Sequence, residues 1–267
     1  MADVTADGVR FHVQRLAARR VVSARPVHPV VFIHGLGMDN LSSFYFTLAN
    51  PLANAGAEVI LYDLRGHGMS ERPRTGYQVR DSVADLAALL EALGVQGPVH
   101  LVGNSYGGAI ALGFAIACPE RVESMVLIEG HFAIAGWAEQ MEATLCRIGS
   151  DLAAGNTQVW LEQYGRKLAR MAELANDLIN GTTFLSDLLT VDPIDPGSLR
   201  ALACPVRAIY GEHSDVVGYA YQLDEYLPSC ALTVLPGFGH SVLMDATPAL
   251  REIVLDWFVS QTHAGLR

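Results

Sequence analysis

The chain has 267 residues, 51% of them hydrophobic, a length and composition typical of an α/β domain with a large buried core. Its 18 basic and 28 acidic side chains give a net charge of −10. This charge argues against nucleic acid or an anionic membrane as partner, because both select a positive surface. No stretch approaches the ~18 apolar residues of a membrane span, and the N-terminus lacks a signal peptide's apolar core. We therefore expect a cytoplasmic protein.

Short apolar runs alternate with helix-like segments in the first half of the chain. Unbroken apolar strands that alternate with helices predict a parallel sheet covered by helices on both faces. The segment FHVQRLA near the start predicts an additional antiparallel edge strand. The predicted parallel strands here are 30–34, 57–64, 99–103 and 122–129, and the predicted helices are 43–55, 79–94 and 106–118.

The same alternation resumes after residue 200, with strands at 206–211 and 231–236 and helices at 216–227 and 248–259. Between them, apolar residues recur at spacings of three and four, which predicts helices. An insertion at this point predicts a helical cap, 131–200, over a core of 1–130 and 201–267. The apolar residues with this spacing are Trp137, Met141, Leu145, Ile148, Trp160, Tyr164, Leu168 and Met171.

One motif carries a candidate nucleophile. The stretch GNSYG, 103–107, places Ser105 between a predicted strand and a predicted helix, the context that a G-x-S-x-G elbow requires. The serine must adopt a strained backbone conformation, and a side chain at Gly103 or Gly107 would collide with the neighbouring strand or helix. The alternative is a tight turn with an incidental serine.

A serine hydroxyl needs a base, and His240 is our candidate because it lies in a glycine-flanked loop after the last apolar strand. His131 and His213 remain alternatives. The predicted acid is Asp215, on the loop after strand 206–211, which gives the order nucleophile, acid, base of elbow hydrolases. Glu212 and Glu129 are its rivals.

Acyl chemistry also needs two hydrogen-bond donors for an oxyanion. The backbone N–H of Tyr106 follows the nucleophile directly and is the first candidate. The loop HGLG, 34–37, turns inward at its glycines, which makes the Leu36 N–H the second candidate. A simple strand-exit turn is the alternative.

No zinc-like spacing of Cys and His occurs, so we expect no metal and free thiols. The cysteines are Cys118, Cys146, Cys204 and Cys230.

Taken together, five motifs resemble those of the α/β-hydrolase fold superfamily, in the same order and over nearly the whole chain. They are HGLG (34–37), DLRGHGMS (63–70), GNSYGG (103–108), GEHSD (211–215) and GFGH (237–240). The resemblance implies a mostly parallel eight-stranded sheet, a helical cap, a Ser–Asp–His triad and no cofactor. Ser105 argues against haloalkane dehalogenases and epoxide hydrolases, which are similar but carry aspartate there.

The resemblance implies a serine hydrolase that cleaves an ester or thioester of a hydrophobic small molecule through an acyl-enzyme. An alternative is a carbon–carbon bond hydrolase or lactonase with the same triad. That enzyme would use a cationic cap group, for which Arg147, Arg166 and Arg170 are available. A low-turnover ligand-binding or sensor protein is the alternative of another class.

Overall fold

A computed structural model describes residues 2–20, 27–134, 137–139, 141–142, 170–171, 173–191 and 193–264. Its centre is one eight-stranded sheet with the strand order β1-β2-β4-β3-β5-β6-β7-β8. The strands are β1 (Ala2–Ala6), β2 (Val9–Leu16), β3 (Val30–Ile33), β4 (Val59–Tyr62), β5 (Val99–Asn104), β6 (Val122–Ile128), β7 (Val206–Gly211) and β8 (Cys230–Leu235).

Strands β3 to β8 are all parallel, which confirms the predicted mostly parallel α/β sheet. Strand β2 is antiparallel as expected, yet it is not at the edge: it pairs with β4 on one side and with β1 on the other. The edge position belongs to β1. Asp7 and Gly8 join the two strands with φ of 46° and 77°, the left-handed pair that a tight two-residue hairpin needs.

Helices cover both faces of this sheet and follow the predicted positions closely. A π-helical turn, Tyr45–Ala49, joins the first two of them. The helices are α1 (Ser42–Phe44), α2 (Asn50–Asn54), α3 (Val79–Ala92), α4 (Tyr106–Ala117), α5 (Phe184–Leu189), α6 (Pro196–Arg200), α7 (Val217–Tyr226), α8 (Val242–Asp245) and α9 (Thr247–Ala264).

The sheet separates two apolar layers, as expected for strands buried on both faces. One layer packs α3, α4 and α7 against the sheet and includes Trp137 and Phe184. The other packs α1, α2, α8 and α9, with Trp257 at its margin.

Most of the described part of the predicted cap is helical, and it packs on the core. Residues 173–181 are helical, and the Thr183 N–H donates to the Arg74 carbonyl at 2.9 Å. The Tyr77 N–H donates to Asp187 at 2.9 Å. Leu145, Ile148, Trp160, Tyr164, Leu168, Arg147, Arg166 and Cys146 lie outside the described residues. The division into core and cap stays a prediction.

Helix α4 approaches the sheet closely because its second and third residues are glycines. A Cβ atom on Gly107 would overlap the carbonyl oxygen of Ile33 in β3. A Cβ on Gly108 would lie 2.7 Å from the Cα of Gly130, which follows β6. The first turn of α4 therefore sits directly on the ends of β3 and β6.

We expect Gly107→Ala to destabilise the fold by about 1–3 kcal/mol, because the new methyl group meets rigid backbone. Gly218→Ala is the matched control: Gly218 lies in α7, where an added Cβ meets nothing within 4 Å. The control should leave stability unchanged or raise it by up to about 1 kcal/mol. Urea denaturation measures both, and equal stabilities of the two variants would contradict this packing argument.

Candidate active site

Ser105 occupies the turn between β5 and α4 in a strained conformation, with φ 52° and ψ −116°. Its N–H donates to the carbonyl of Ile128 at the end of β6, at 2.8 Å. A Cβ on Gly103 would lie 2.5 Å from the Gly107 carbonyl oxygen, so both glycines are needed for the turn. This confirms the predicted steric reason for the glycines. The hydroxyl projects from the edge where the parallel strands end.

His240 lies beside this hydroxyl, with its Nε2 3.1 Å from Ser105 Oγ. Its loop follows β8 and crosses the end of β7, where the His213 N–H donates to the Phe238 carbonyl at 2.8 Å. A Cβ on Gly211 would lie 2.5 Å from the Gly239 carbonyl oxygen. The absence of a side chain at Gly211 thus lets the loop bring His240 over the sheet edge.

Three groups face the other ring nitrogen of His240. Its Nδ1 lies 3.4 Å from Asp215 Oδ1, 3.4 Å from Glu129 Oε2 and 3.4 Å from Ser214 Oγ. The Asp215 side chain is 54% exposed, whereas Glu129 is fully buried. Glu129 accepts hydrogen bonds from the Gly211 N–H at 2.5 Å and from the Ser214 hydroxyl.

The predicted acid, Asp215, therefore lies beside His240. Its rival Glu129 lies at the same distance from His240 Nδ1. The third candidate, Glu212, points elsewhere and accepts the Gly237 N–H at 2.9 Å. The backbone angle φ of Glu129 is 53°. It is one of three positive φ values at non-glycine residues in the described part of the chain. This strained turn directs the Glu129 carboxylate toward the end of β7, where it accepts the Gly211 N–H.

The predicted oxyanion donors are the N–H of Tyr106, which follows Ser105 directly, and that of Leu36, which lines the same cavity as Ser105. The Tyr106 N–H is the first amide of α4, and amides at that position have no partner within a helix. In the loop after β3, the Gly35 N–H donates to Asp39 at 2.7 Å and the Gly37 N–H donates to His67 Nε2 at 3.0 Å. Between them, the Leu36 N–H has no acceptor among the described residues.

The segment DLRGHGMS supports this loop. His67 Nε2 accepts from Gly37, and Asp63 accepts from the Leu41 N–H at 2.8 Å and the Met69 N–H at 2.8 Å. His67 is buried, and burial, reinforced by nearby His34, lowers its pKa to about 3. The segment thus supports this loop structurally.

A second histidine also reaches the serine. His131 Nε2 lies 3.4 Å from Ser105 Oγ, and its Nδ1 accepts the Trp137 indole N–H at 2.9 Å. Burial, together with the nearby His240, lowers the pKa of His131 to about 3. The position of His131, three residues after β6, explains this proximity, because β6 pairs with β5 and both end at the same edge. His213, the other alternative base, lies on the exposed loop beside Glu212.

A cavity of about 690 Å³ opens onto Ser105 and His240. Phe46 is 72% exposed at this cavity, although large aromatic side chains are usually buried. No lysine or arginine is among the described lining residues, and Asp39 is the acidic one. The apolar lining consists of Leu36, Met38, Phe46, Met171, Leu243 and Met244.

Among the described helices, none combines the length and apolar character needed to cross a membrane. Within the described ranges, no three His, Cys, Asp or Glu side chains are grouped to hold a metal ion. Cys118, Cys204 and Cys230 are free thiols.

Comparison of the sequence with known protein families identifies the family of this chain. A model of the alpha/beta hydrolase fold matches residues 28–182, more than half of the chain. The chain belongs to the alpha/beta hydrolase fold family. The matched region of this hydrolase-fold chain contains Leu36, Ser105 and Tyr106 and ends before Asp215 and His240.

Two relatives of the hydrolase-fold chain match it over shorter stretches. A non-heme chloroperoxidase of Streptomyces lividans is 40% identical over 105 residues, 38% of this chain and 36% of that protein. A 2-hydroxy-6-oxo-2,4-heptadienoate hydrolase of Pseudomonas putida is 40% identical over 102 residues, 38% of this chain and 37% of that protein. The chain thus spans little more than a third of these relatives.

Among solved structures, Est816, described as an N-acyl homoserine lactone degrading enzyme, is similar over nearly the full length. The TM-score is 0.73 at 26% identity, covering 95% of this chain and 98% of Est816.

Because buried histidines such as His67 stay neutral, we expect the folded chain to lose stability at acid pH. His67 stays neutral in the folded chain, whereas the unfolded chain takes up a proton below its ordinary pKa of 6.5. Stability is therefore lost as the pH falls from 6.5 toward 3, by about 1.4 kcal/mol per pH unit for each such group. His67→Gln should lower the slope of unfolding free energy against pH by about that amount between pH 5.5 and 4.

Denaturant titrations at several pH values measure this slope. His213→Gln is the matched control, because the His213 side chain faces solvent in the folded chain. A slope in His67→Gln equal to that of the wild type would contradict the assignment of a neutral, buried His67.

Proposed function

We propose that the chain is a serine hydrolase that cleaves a carboxylic ester or thioester of a hydrophobic small molecule through an acyl-enzyme. The observation that carries this proposal is the 3.1 Å contact of Ser105 Oγ with His240 Nε2 at a strained strand–helix turn. Membership of the alpha/beta hydrolase fold family supports it.

In the proposed mechanism, His240 Nε2 takes the proton of Ser105 while Oγ attacks the substrate carbonyl carbon. The carbonyl oxygen becomes an oxyanion between the N–H groups of Leu36 and Tyr106. Such fixed donors stabilise the transition state, and each contributes about 10²–10³ in rate. The imidazolium then protonates the leaving group, and water attacks the acyl-enzyme by the reverse sequence.

The imidazolium that forms on His240 is stabilised by two carboxylates. Asp215 remains our proposed acid, and Glu129 joins it because it stands at the same 3.4 Å distance. Solvent screens the exposed Asp215, whereas the buried Glu129 acts through a lower effective dielectric. Glu129 therefore contributes the larger share. Both are positioning residues, since they act through His240.

The cavity favours an apolar acyl or alkyl group. Its apolar side chains include Phe46 and Met244, which are 72% and 64% exposed. Burying such surface against a ligand yields about 25 cal/mol per Å². A carboxylate, Asp39, disfavours an anionic substrate at this wall.

A carbon–carbon bond hydrolase or lactonase is the second candidate, supported by the names of the Pseudomonas putida relative and of Est816. The cationic group expected for an acidic ketone is not among the described lining residues. Of the three predicted cap arginines, Arg170 is described, and it pairs with Glu173 at 3.1 Å. This pairing supports our choice of the ester as the first candidate.

A substrate panel tests the proposed function. We expect p-nitrophenyl esters or acyl-CoA thioesters of medium apolar chains to be hydrolysed, with kcat/KM reduced by at least about 10³-fold in Ser105→Ala. Homoserine lactones and vinylogous acidic ketones complete the panel. Preference for the ketones would favour the second candidate, and full activity in Ser105→Ala would contradict the mechanism. No turnover of any compound would favour a ligand-binding protein.

The two carboxylates are tested separately. Glu129→Gln should reduce kcat about 10²–10⁴-fold, because the imidazolium loses its buried partner, while Asp215→Asn should cost about tenfold. The variants are matched, since each replaces one carboxylate by its isosteric amide, and thermal unfolding checks that both fold. A large loss in Asp215→Asn with none in Glu129→Gln would reverse the assignment.

A further inference from the structure

The indole of Trp137 determines which nitrogen of His131 carries a proton. Trp137 is buried, and its Nε1–H donates to His131 Nδ1 at 2.9 Å. An indole nitrogen can only donate, so Nδ1 must be the unprotonated, accepting nitrogen. A neutral imidazole with an accepting Nδ1 carries its proton on Nε2. Burial keeps the ring neutral, as its lowered pKa indicates.

The protonated nitrogen of His131 faces the proposed nucleophile. Two imidazole nitrogens flank the same oxygen: His240 Nε2 at 3.1 Å and His131 Nε2 at 3.4 Å from Ser105 Oγ. The hydroxyl has one proton and two lone pairs, so it can donate to one ring while it accepts from the other. We propose that His131 is a fixed hydrogen-bond donor to Ser105 Oγ, held in that state by Trp137, and that it directs the hydroxyl proton to His240.

This donor would act whenever Ser105 Oγ gains negative charge. That role rests on the proposed function. Charge develops first as His240 removes the hydroxyl proton. It develops again in acyl-enzyme hydrolysis, when the bond from the acyl carbon to Oγ breaks and its electron pair moves to Oγ. The proton that Oγ then takes up comes from the His240 imidazolium, and His131 keeps its own proton throughout. His131 therefore stabilises Oγ without competing as a base.

Nitrogen NMR of the intact protein tests the protonation state directly, with no need for turnover. In protein labelled with ¹⁵N-histidine, the His131 signals are identified by their loss in His131→Gln. We expect a protonated Nε2 and an unprotonated Nδ1 from pH 6 to 8 in the wild type. In Trp137→Phe the protonated fraction of Nδ1 should rise. A protonated Nδ1 in the wild type would overturn the proposal.

Kinetics with the substrate identified by the panel test the consequence. Trp137→Phe and His131→Leu should lower kcat by about 10- to 100-fold with little change in KM, while His131→Gln, whose amide can donate from a similar position, should lose less. Trp257→Phe is the matched control, since its buried indole nitrogen has no hydrogen-bond partner among the described residues. Thermal unfolding checks that each variant folds.

The two proposals fail in distinguishable ways. If no substrate is turned over, the proposed function fails, while the NMR experiment still decides the state of His131. If the wild type is active but kcat is unchanged in both Trp137→Phe and His131→Leu, the donor role is wrong and the serine mechanism stands.

Discussion

The site depends on one backbone constraint, the positive φ of Ser105 at the junction of β5 and α4. A non-glycine residue in so sparsely populated a conformation costs about 1–3 kcal/mol, which the surrounding packing must offset. Gly103 and Gly107 permit the contact of strand and helix, and the Ser105 N–H is held by the Ile128 carbonyl. With the turn fixed, its hydroxyl stands where the loops after β3, β6, β7 and β8 converge.

Burial differs among the histidines around that hydroxyl, and the difference supports the roles that we propose for them. His240 is partly exposed, and its Nδ1 faces the carboxylates of Glu129 and Asp215. His131 and His67 are buried and hold lowered pKa values, so both remain neutral hydrogen-bonding groups. In our proposal, three histidines of one site therefore serve as a base, a donor to the nucleophile and a support for the oxyanion loop.

The sequence predicted the parallel strands and the helices because their apolar runs and breaks are local signals. It missed β1, since five residues with a single buried position carry little pattern, although the Asp7-Gly8 pair is a typical hairpin turn. The ends of β6 and β7 are neighbours only in the folded sheet. Positions in the sequence could therefore not show that Glu129 and Asp215 lie equally close to His240. The direction of His131 depends on an irregular loop and on Trp137, which no periodicity reveals.

Covalent labelling with a fluorophosphonate, followed by mass mapping of the peptides, tests the central claim most directly. The reagent reacts with a serine only where a base and an oxyanion site activate the hydroxyl together. The account predicts a single adduct on Ser105, formed far more slowly in His240→Gln and absent in Ser105→Ala. An unmodified Ser105 under conditions that label known serine hydrolases, or an adduct that forms equally fast in His240→Gln, would contradict it.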